Sequence, residues 1–386
     1  MERILKILTV LFAVMMCCTA KAQLIKGNQR LEEYLPMVEN KNVAIVCNHT
    51  SMVENKHIAD TLIGLGVKVK ILFTPEHGLK GTEEAGKSIN GVFYYKDSIK
   101  ICSLYGKNKK PTAEQMSGVD AVLFDLQDVG CRFYTYISTL EYVMKACIET
   151  NTPLIVLDRP NPNNFVAGPV LRSDCRSFVG MQSVPICYGL TIGEYAVMIN
   201  EENLADSLRQ CSLHVVRMQN YNRDSVYTLD VWPSPNLQSM QAIKNYPTLC
   251  LFEGTPVSVG RGTDMPFEII GFPEYKTVSK THKGKSLEFT PRSIKGVAEN
   301  PPFKDRLCKG EKIVIQSNDI ELDWIINMYR QYPKKEGFFN RMFDLLSGDK
   351  NIKQQIIDGK TSQEIKQQWE SGLEAYKQIR QKYLLY

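Results

Sequence analysis

Four short stretches of this sequence concentrate side chains that handle protons, hydroxyl groups and charge. They are Asn48-His49-Thr50, Pro75-Glu76-His77-Gly78, Asp125-Leu126-Gln127-Asp128-Val129-Gly130 followed by Arg132, Tyr134 and Tyr136, and Asp158-Arg159-Pro160-Asn161. Carboxylates accept hydrogen bonds from hydroxyls, amides donate and accept, and aromatic faces pack on the C–H faces of sugars. That mixture suits a polyhydroxylated ligand. A fifth cluster lies in the second half, where Asn236 precedes Phe252-Glu253-Gly254-Thr255, Gly260-Arg261-Gly262-Thr263 and Glu268. Glycines on both sides of Arg261 let the backbone bend and present a planar guanidinium to a carboxylate.

The same residues also have structural readings. Glu76 and Asp125 stand where they could cap following helices. Asp158 and Arg159 could pair with each other inside the fold, and one of Tyr134 and Tyr136, at the start of a helix, packs in the core. Glu194, three residues after Thr191, reads as half of a capping box rather than as a catalytic acid. His77 beside Glu76 is a weak metal candidate in a chain with five histidines and no H-x-x-x-H spacing, so no metal or cofactor is expected. Gly81 to Ser88 spells a Walker A pattern, but two glutamates occupy the phosphate position and no strand runs directly into it, so it is rejected as a nucleotide site.

Each of the first four clusters follows an apolar run: 43–47, 67–73, 121–124 and 153–157. Continuous runs of this length fit parallel strands covered on both faces. Helical spacing from Tyr136 to Ile148 joins the third run to the fourth as a βαβ unit. Thr112 with Gln115 and Thr191 with Glu194 look like capping boxes that open helices. The fold class is therefore α/β, with an open, mostly parallel sheet over residues 23–230 that gathers all four clusters on one rim, where ligands bind in such folds. From about 231 prolines crowd the chain. Residues 313–315 look strand-like and 320–329 helical, and Thr361 with Glu364 opens a final helix carrying Ile365, Trp369, Leu373, Tyr376 and Ile379. This second, α+β domain is placed at 231–386.

The chain has 386 residues, 47 Lys+Arg and 42 Asp+Glu, for a net charge of +5. No basic run accompanies that weak excess, which argues against a nucleic-acid partner. Residues 1–22 read as a signal peptide: Arg3 and Lys6, an apolar stretch, then Ala20-Lys21-Ala22 before Gln23. The protein is accordingly expected in the periplasm or outside the cell, without stable membrane insertion. Lipid anchoring through Cys17 or Cys18 is less supported, because a Met and a Cys precede them where a small residue belongs. Of the nine other cysteines, Cys47, Cys102, Cys147 and Cys250 sit in apolar runs and read as core filling. No disulfide pairing follows from the spacings.

Taken in order, Pro75-Glu76-His77-Gly78, Asp125 to Tyr136, Leu157 to Pro162, Thr191 to Glu194, Pro235-Asn236, Phe252 to Thr255 and Gly260 to Thr263 resemble the exo-β-N-acetylmuramidase family over nearly the whole mature chain. The resemblance implies a Rossmann-like N-terminal domain, a smaller C-terminal domain and a cleft between them. It implies release of N-acetylmuramic acid from the non-reducing end of peptidoglycan fragments such as N-acetylmuramic acid–N-acetylglucosamine, with Glu76 as a catalytic carboxylate. Two positions depart from the family pattern: Ala167 replaces an acid before Gly168-Pro169, and Val259 replaces a glutamate before Gly260.

On this reading Glu76 is the general acid. The second group is Asp125, Asp128, Glu253 or Glu268, or else the substrate's own 2-acetamido oxygen, oriented by Asp125 or Asp128. Arg132, Arg159 or Arg261 would hold the lactyl carboxylate, and Asn48, His77, Gln127, Tyr134, Tyr136, Asp158, Asn161 and Asn236 would line the sugar site. Three competing readings are a non-catalytic periplasmic sugar-binding protein, a metal-assisted hydrolase using Glu76, His77, Asp125 and Asp128, and a purely structural envelope protein.

Overall fold

The computed structural model describes residues 23–82, 93–96, 98–202, 209–225, 227–276 and 285–386. The expected signal peptide and most of the Gly81 to Ser88 stretch lie outside them. In chain order the strands are β1 (Asn42–Cys47), β2 (Met52–Val53), β3 (Lys56–His57), β4 (Lys68–Thr74), β5 (Phe93–Tyr95), β6 (Ile99–Ser103) and β7 (Ala121–Asp125). They continue as β8 (Leu154–Leu157), β9 (Val166–Ala167), β10 (Cys187–Tyr188), β11 (Leu213–Val216), β12 (Ile269–Phe272), β13 (Lys285–Phe289) and β14 (Cys308–Lys312).

The main sheet runs β11-β8-β7-β1-β4-β6-β5. All neighbours in it are parallel except the edge strand β5. Alternate residues serve opposite faces. Ala44, Val46, Phe73, Val122 and Phe124 face the helices Tyr136–Thr150 and Ile192–Glu201. Val43, Ile45, Leu72, Leu123 and Ile155 face the helices Leu31–Val38 and Ile58–Gly64. Burial on both faces explains why the strands read as continuous apolar runs. After β1 the chain builds outward through β4 and β6, then returns to β1's other side with β7. A topological switch point therefore lies at β1, and ligands gather at the carboxyl ends beside such a point.

The four expected strands are present as β1, β4, β7 and β8, and all three expected capping boxes form, at Thr112, Thr191 and Thr361. Two local expectations need correction. Residues 313–315 are not a strand. β14 ends at Lys312, and the side chain of the buried Asn245 takes over the pairing, with Nδ2 donating to the Ile313 carbonyl at 3.0 Å and Oδ1 accepting from the Ile315 N–H at 3.0 Å. The final helix is two helices, Ser362–Gln367 and Glu370–Gln381, separated at Gln368 and Trp369.

A three-stranded antiparallel sheet, β12-β14-β13, and the helices from Leu322 onward make up most of the second half. Its apolar side chains merge with those of the first half, so Phe73 and Tyr136 belong to the same core as Phe252, Phe343 and Tyr376.

Candidate active site

The turn after β4 is tight, with His77 at φ +72° and Gly78 at φ +69°. A non-glycine residue held in this left-handed region is uncommon and recurs at functional sites. Here the turn leaves Glu76 on the wall of a cleft of about 340 Å³. His77, Tyr105, Phe133, Tyr134 and Thr135 line it from the first half of the chain, and Asn236, Tyr246, Cys250, Glu253, Arg261 and Phe267 from the second.

Glu76 is half-buried and held. Thr135 Oγ1 donates to its Oε2 at 3.0 Å, and the Tyr105 hydroxyl also bonds to its carboxylate. Burial first, then the negative Glu76, push the Tyr105 phenol above its ordinary range, so it keeps its proton and donates. Elsewhere in the lining, Arg261 Nε donates to Glu253 Oε1 at 2.5 Å and the Cys250 thiol contacts Oε2 at 3.6 Å. The Arg261 guanidinium also lies over the Phe267 ring, 5.1 Å from its centroid. Burial alone would lower the arginine's pKa, but Glu253 outweighs it and the net shift is upward. The cleft thus offers one carboxyl group held by neutral hydroxyl donors and one held by a cation, between aromatic walls. That is the equipment for acid catalysis beside a stabilised negative charge.

Of the residues expected at the site, Glu76, His77, Tyr134, Asn236, Glu253 and Arg261 come together on these walls. The others lie elsewhere. Asp125 is fully buried: Oδ1 accepts from Arg159 Nε at 2.7 Å and Oδ2 from Asn28 Nδ2 at 3.1 Å. Arg159 therefore pairs through its guanidinium with Asp125 and not with the adjacent Asp158, whose Oδ1 accepts the backbone N–H groups of Arg159 at 2.9 Å and Gly193 at 2.8 Å. Asp158 is also fully buried and accepts from Thr191 Oγ1 at 2.8 Å and the Tyr386 hydroxyl at 2.7 Å. Arg132 is completely enclosed, its guanidinium donating to the carbonyls of Pro169, Val184, Leu346 and Ser347. The last two are orphan acceptors at the end of the helix Arg341–Ser347, where a cation is favoured.

Asn48 spends its amide on Tyr136 and Thr50, and Tyr136 in turn donates to the Pro233 carbonyl at 3.3 Å. Gln127 bonds the carbonyls of Asp128 and Pro160, both at 2.8 Å. Asn161 caps Leu190, at 2.8 Å. Asp128 takes the Gly130 N–H at 2.6 Å and the Tyr188 hydroxyl. Burial pushes its carboxyl up to about 7. Glu268 accepts from Ser239 and faces Lys312 at 3.5 Å. Glu194 completes the Thr191 capping box and pairs with Arg223.

Several wall residues escape a reading of the sequence. Tyr105 follows β6, a strand that Lys100 disguises, so its place at a strand end is hidden. Tyr246 and Cys250 stand seven and three residues before the expected Glu253, a spacing that marks one helical face and ties them to it. No group of His, Cys, Asp and Glu able to hold a metal ion occurs among the described residues.

Comparison with known proteins agrees over the length of the chain. The family models described as "Exo-beta-N-acetylmuramidase NamZ", N-terminal and C-terminal, match residues 43–241 and 244–386. The chain is 35% identical over 377 residues to the peptidoglycan beta-N-acetylmuramidase NamZ of Bacillus subtilis (strain 168), covering 92% of this chain and 89% of that protein. Two crystal structures of DUF1343 family proteins from Bacteroides fragilis NCTC 9343 superpose with TM-scores of 0.83 and 0.79, at 39% and 28% identity. They cover 95% and 94% of this chain, and 99% of each of theirs.

Proposed function

Because this chain belongs to the exo-β-N-acetylmuramidase NamZ family and is a glycoside hydrolase of peptidoglycan, we propose that it removes single N-acetylmuramic acid residues from the non-reducing end of peptidoglycan fragments. The observation that carries this reading is that Glu76 and Glu253, from distant parts of the chain, line one sugar-sized cleft. Glu76, held by Thr135 and Tyr105, gives its proton to the leaving oxygen. Glu253, paired with Arg261 at 2.5 Å, is the second carboxyl group of the reaction. Phe133, Tyr134, Tyr246 and Phe267 supply apolar faces for the sugar ring. Of the three arginines considered for the lactyl carboxylate, Arg261 alone lines the cleft, and it is assigned that contact. Asp125, Arg132, Asp158 and Arg159 hold the rim together from beneath.

Two measurements test this. Incubation with N-acetylmuramic acid–N-acetylglucosamine should release both free sugars; unchanged disaccharide bound to the protein would favour a sugar-binding protein instead. With a chromogenic N-acetylmuramic acid glycoside, Glu76→Gln should lower kcat by roughly 10²–10⁴-fold, the usual weight of a general acid. Wild-type rates in that variant would remove Glu76 from the chemistry.

A further inference from the structure

Cys131 and Cys187 face each other across an isolated antiparallel bridge. The Arg132 N–H donates to the Ile186 carbonyl at 2.8 Å. Donor and acceptor therefore belong to the residues flanking the two cysteines, which makes 131 and 187 a non-hydrogen-bonded pair. Such pairs hold their Cα atoms about 4.5 Å apart, with the side chains close. A disulfide spans Cα separations of roughly 4.4–6.8 Å. The two thiols are already in hydrogen-bond contact, and both side chains are fully buried. A second thiol contact joins Cys147 to Cys211. Those two come from a helix and a loop, and no ladder sets their separation.

We propose that Cys131 and Cys187 form a cross-strand disulfide when the chain folds in the presence of an oxidising thiol–disulfide couple. The reaction is two exchanges. One cysteine thiolate attacks a small-molecule disulfide and expels one thiolate. The other cysteine then attacks the resulting mixed disulfide and expels the second. Cys131 and Cys187 lose two electrons between them, the small disulfide gains them, and the two thiol protons pass to the released thiolates. Burial pushes the Cys131 thiol well above its ordinary range, so the folded, reduced protein is a poor nucleophile and the exchange belongs to the unfolded or opening chain.

The position gives the bond a purpose. Cys131 leads into Phe133, Tyr134 and Thr135 on the cleft wall. Cys187 leads into Tyr188, whose hydroxyl holds Asp128 and whose carbonyl accepts from the Tyr376 hydroxyl at 2.7 Å. A bond here staples the cleft floor to the β9–β10 hairpin and to the last helix.

The test refolds the denatured, reduced full chain in mixed oxidised and reduced glutathione. Remaining thiols are then blocked with iodoacetamide in denaturant, and peptides are mapped without reductant. The expected result is a linked peptide joining Cys131 to Cys187, together with a urea midpoint above that of protein refolded under reductant. Cys187→Ser should abolish both. Refolded protein with no such peptide, or with a linkage confined to Cys147–Cys211, overturns the proposal. So does a linked form whose midpoint equals that of the reduced protein, since a native cross-link must restrict the unfolded chain.

Discussion

At the scale of single residues, the cleft is defined by which polar groups still face it once the others have paired. Thr135 Oγ1 is one of the donors on Glu76, at 3.0 Å. Thr135→Ala should cost about one hydrogen bond to a charged group, or roughly tenfold in kcat/KM, read with the chromogenic glycoside; Thr135→Ser should restore most of it. Asp128 makes a different kind of prediction. Its carboxyl binds a proton more tightly in the folded protein, at about 7, than its ordinary value of 3.8 would allow, because burial disfavours the anion. Its stabilising contribution is therefore complete below about pH 4 and is lost as pH rises toward 7. Asp128→Asn cannot ionise, so its urea midpoint should gain on wild type as pH is raised from 4.5 to 8. A gap that stays constant across that range would show that Asp128 is not titrating. The sequence placed Glu76, Asp125 and Arg132 alike after strands, yet Glu76 lines the cleft while Asp125 and Arg132 are buried against distant partners, because a charged residue after a strand looks the same whether it faces a ligand or a partner far along the chain.

Among elements, the most informative junction joins the loop after β7 to the end of the helix Arg341–Ser347. Arg132 supplies donors to carbonyls the helix cannot satisfy itself, and Gly348 makes room for it at φ +79°. A Cβ at Gly348 would lie 2.4 Å from Arg132 Nη2. Gly348→Ala therefore combines left-handed strain with a clash and should destabilise by about 2 kcal/mol or more. Arg132→Met strips several buried carbonyls of their donor and should cost at least about 3 kcal/mol. Both are read by urea unfolding, and a neutral Arg132→Met would refute the structural role assigned here. Elements with a local cause were legible. The capping boxes at Thr112, Thr191 and Thr361 need only a hydroxyl and an acid or amide three residues on. Residues 313–315 misled because their β-branched side chains promised a ladder, whereas the partner is an Asn245 side chain from a distant helix.

At the scale of the whole molecule, Tyr386 joins segments that are far apart in sequence. The Tyr386 hydroxyl donates to Asp158 at 2.7 Å and accepts from the Met218 N–H at 2.8 Å, tying the final segment to the ends of β8 and β11. Burial foremost, with nearby Glu194 adding to it, raises the Asp158 carboxyl to about 6, against the pull of its hydrogen bonds. Tyr386→Phe removes a donor that matters most to the anion. It should destabilise by roughly 1.5–3 kcal/mol at pH 8 and by less at pH 4, where Asp158 is protonated. Equal losses at the two pH values would show that the hydroxyl does not serve the charged form.

Reading residues in order determined what depends on near neighbours: the apolar runs that become parallel strands, the helix caps, and the motif series that marks the family. It also placed four polar clusters on one rim, because strand direction follows from parallel pairing. Only the tertiary structure decided which of those polar groups are offered to a ligand. Glu76 and Glu253, 177 positions apart in sequence, share a cleft, while Asp125, Arg132, Asp158 and Arg159 are consumed beneath it. The reason is physical. A buried charge must find its partner wherever the fold brings one, and those partners, from Asn28 to Ser347 and Tyr386, are distant in the chain and leave no mark beside the residues they claim.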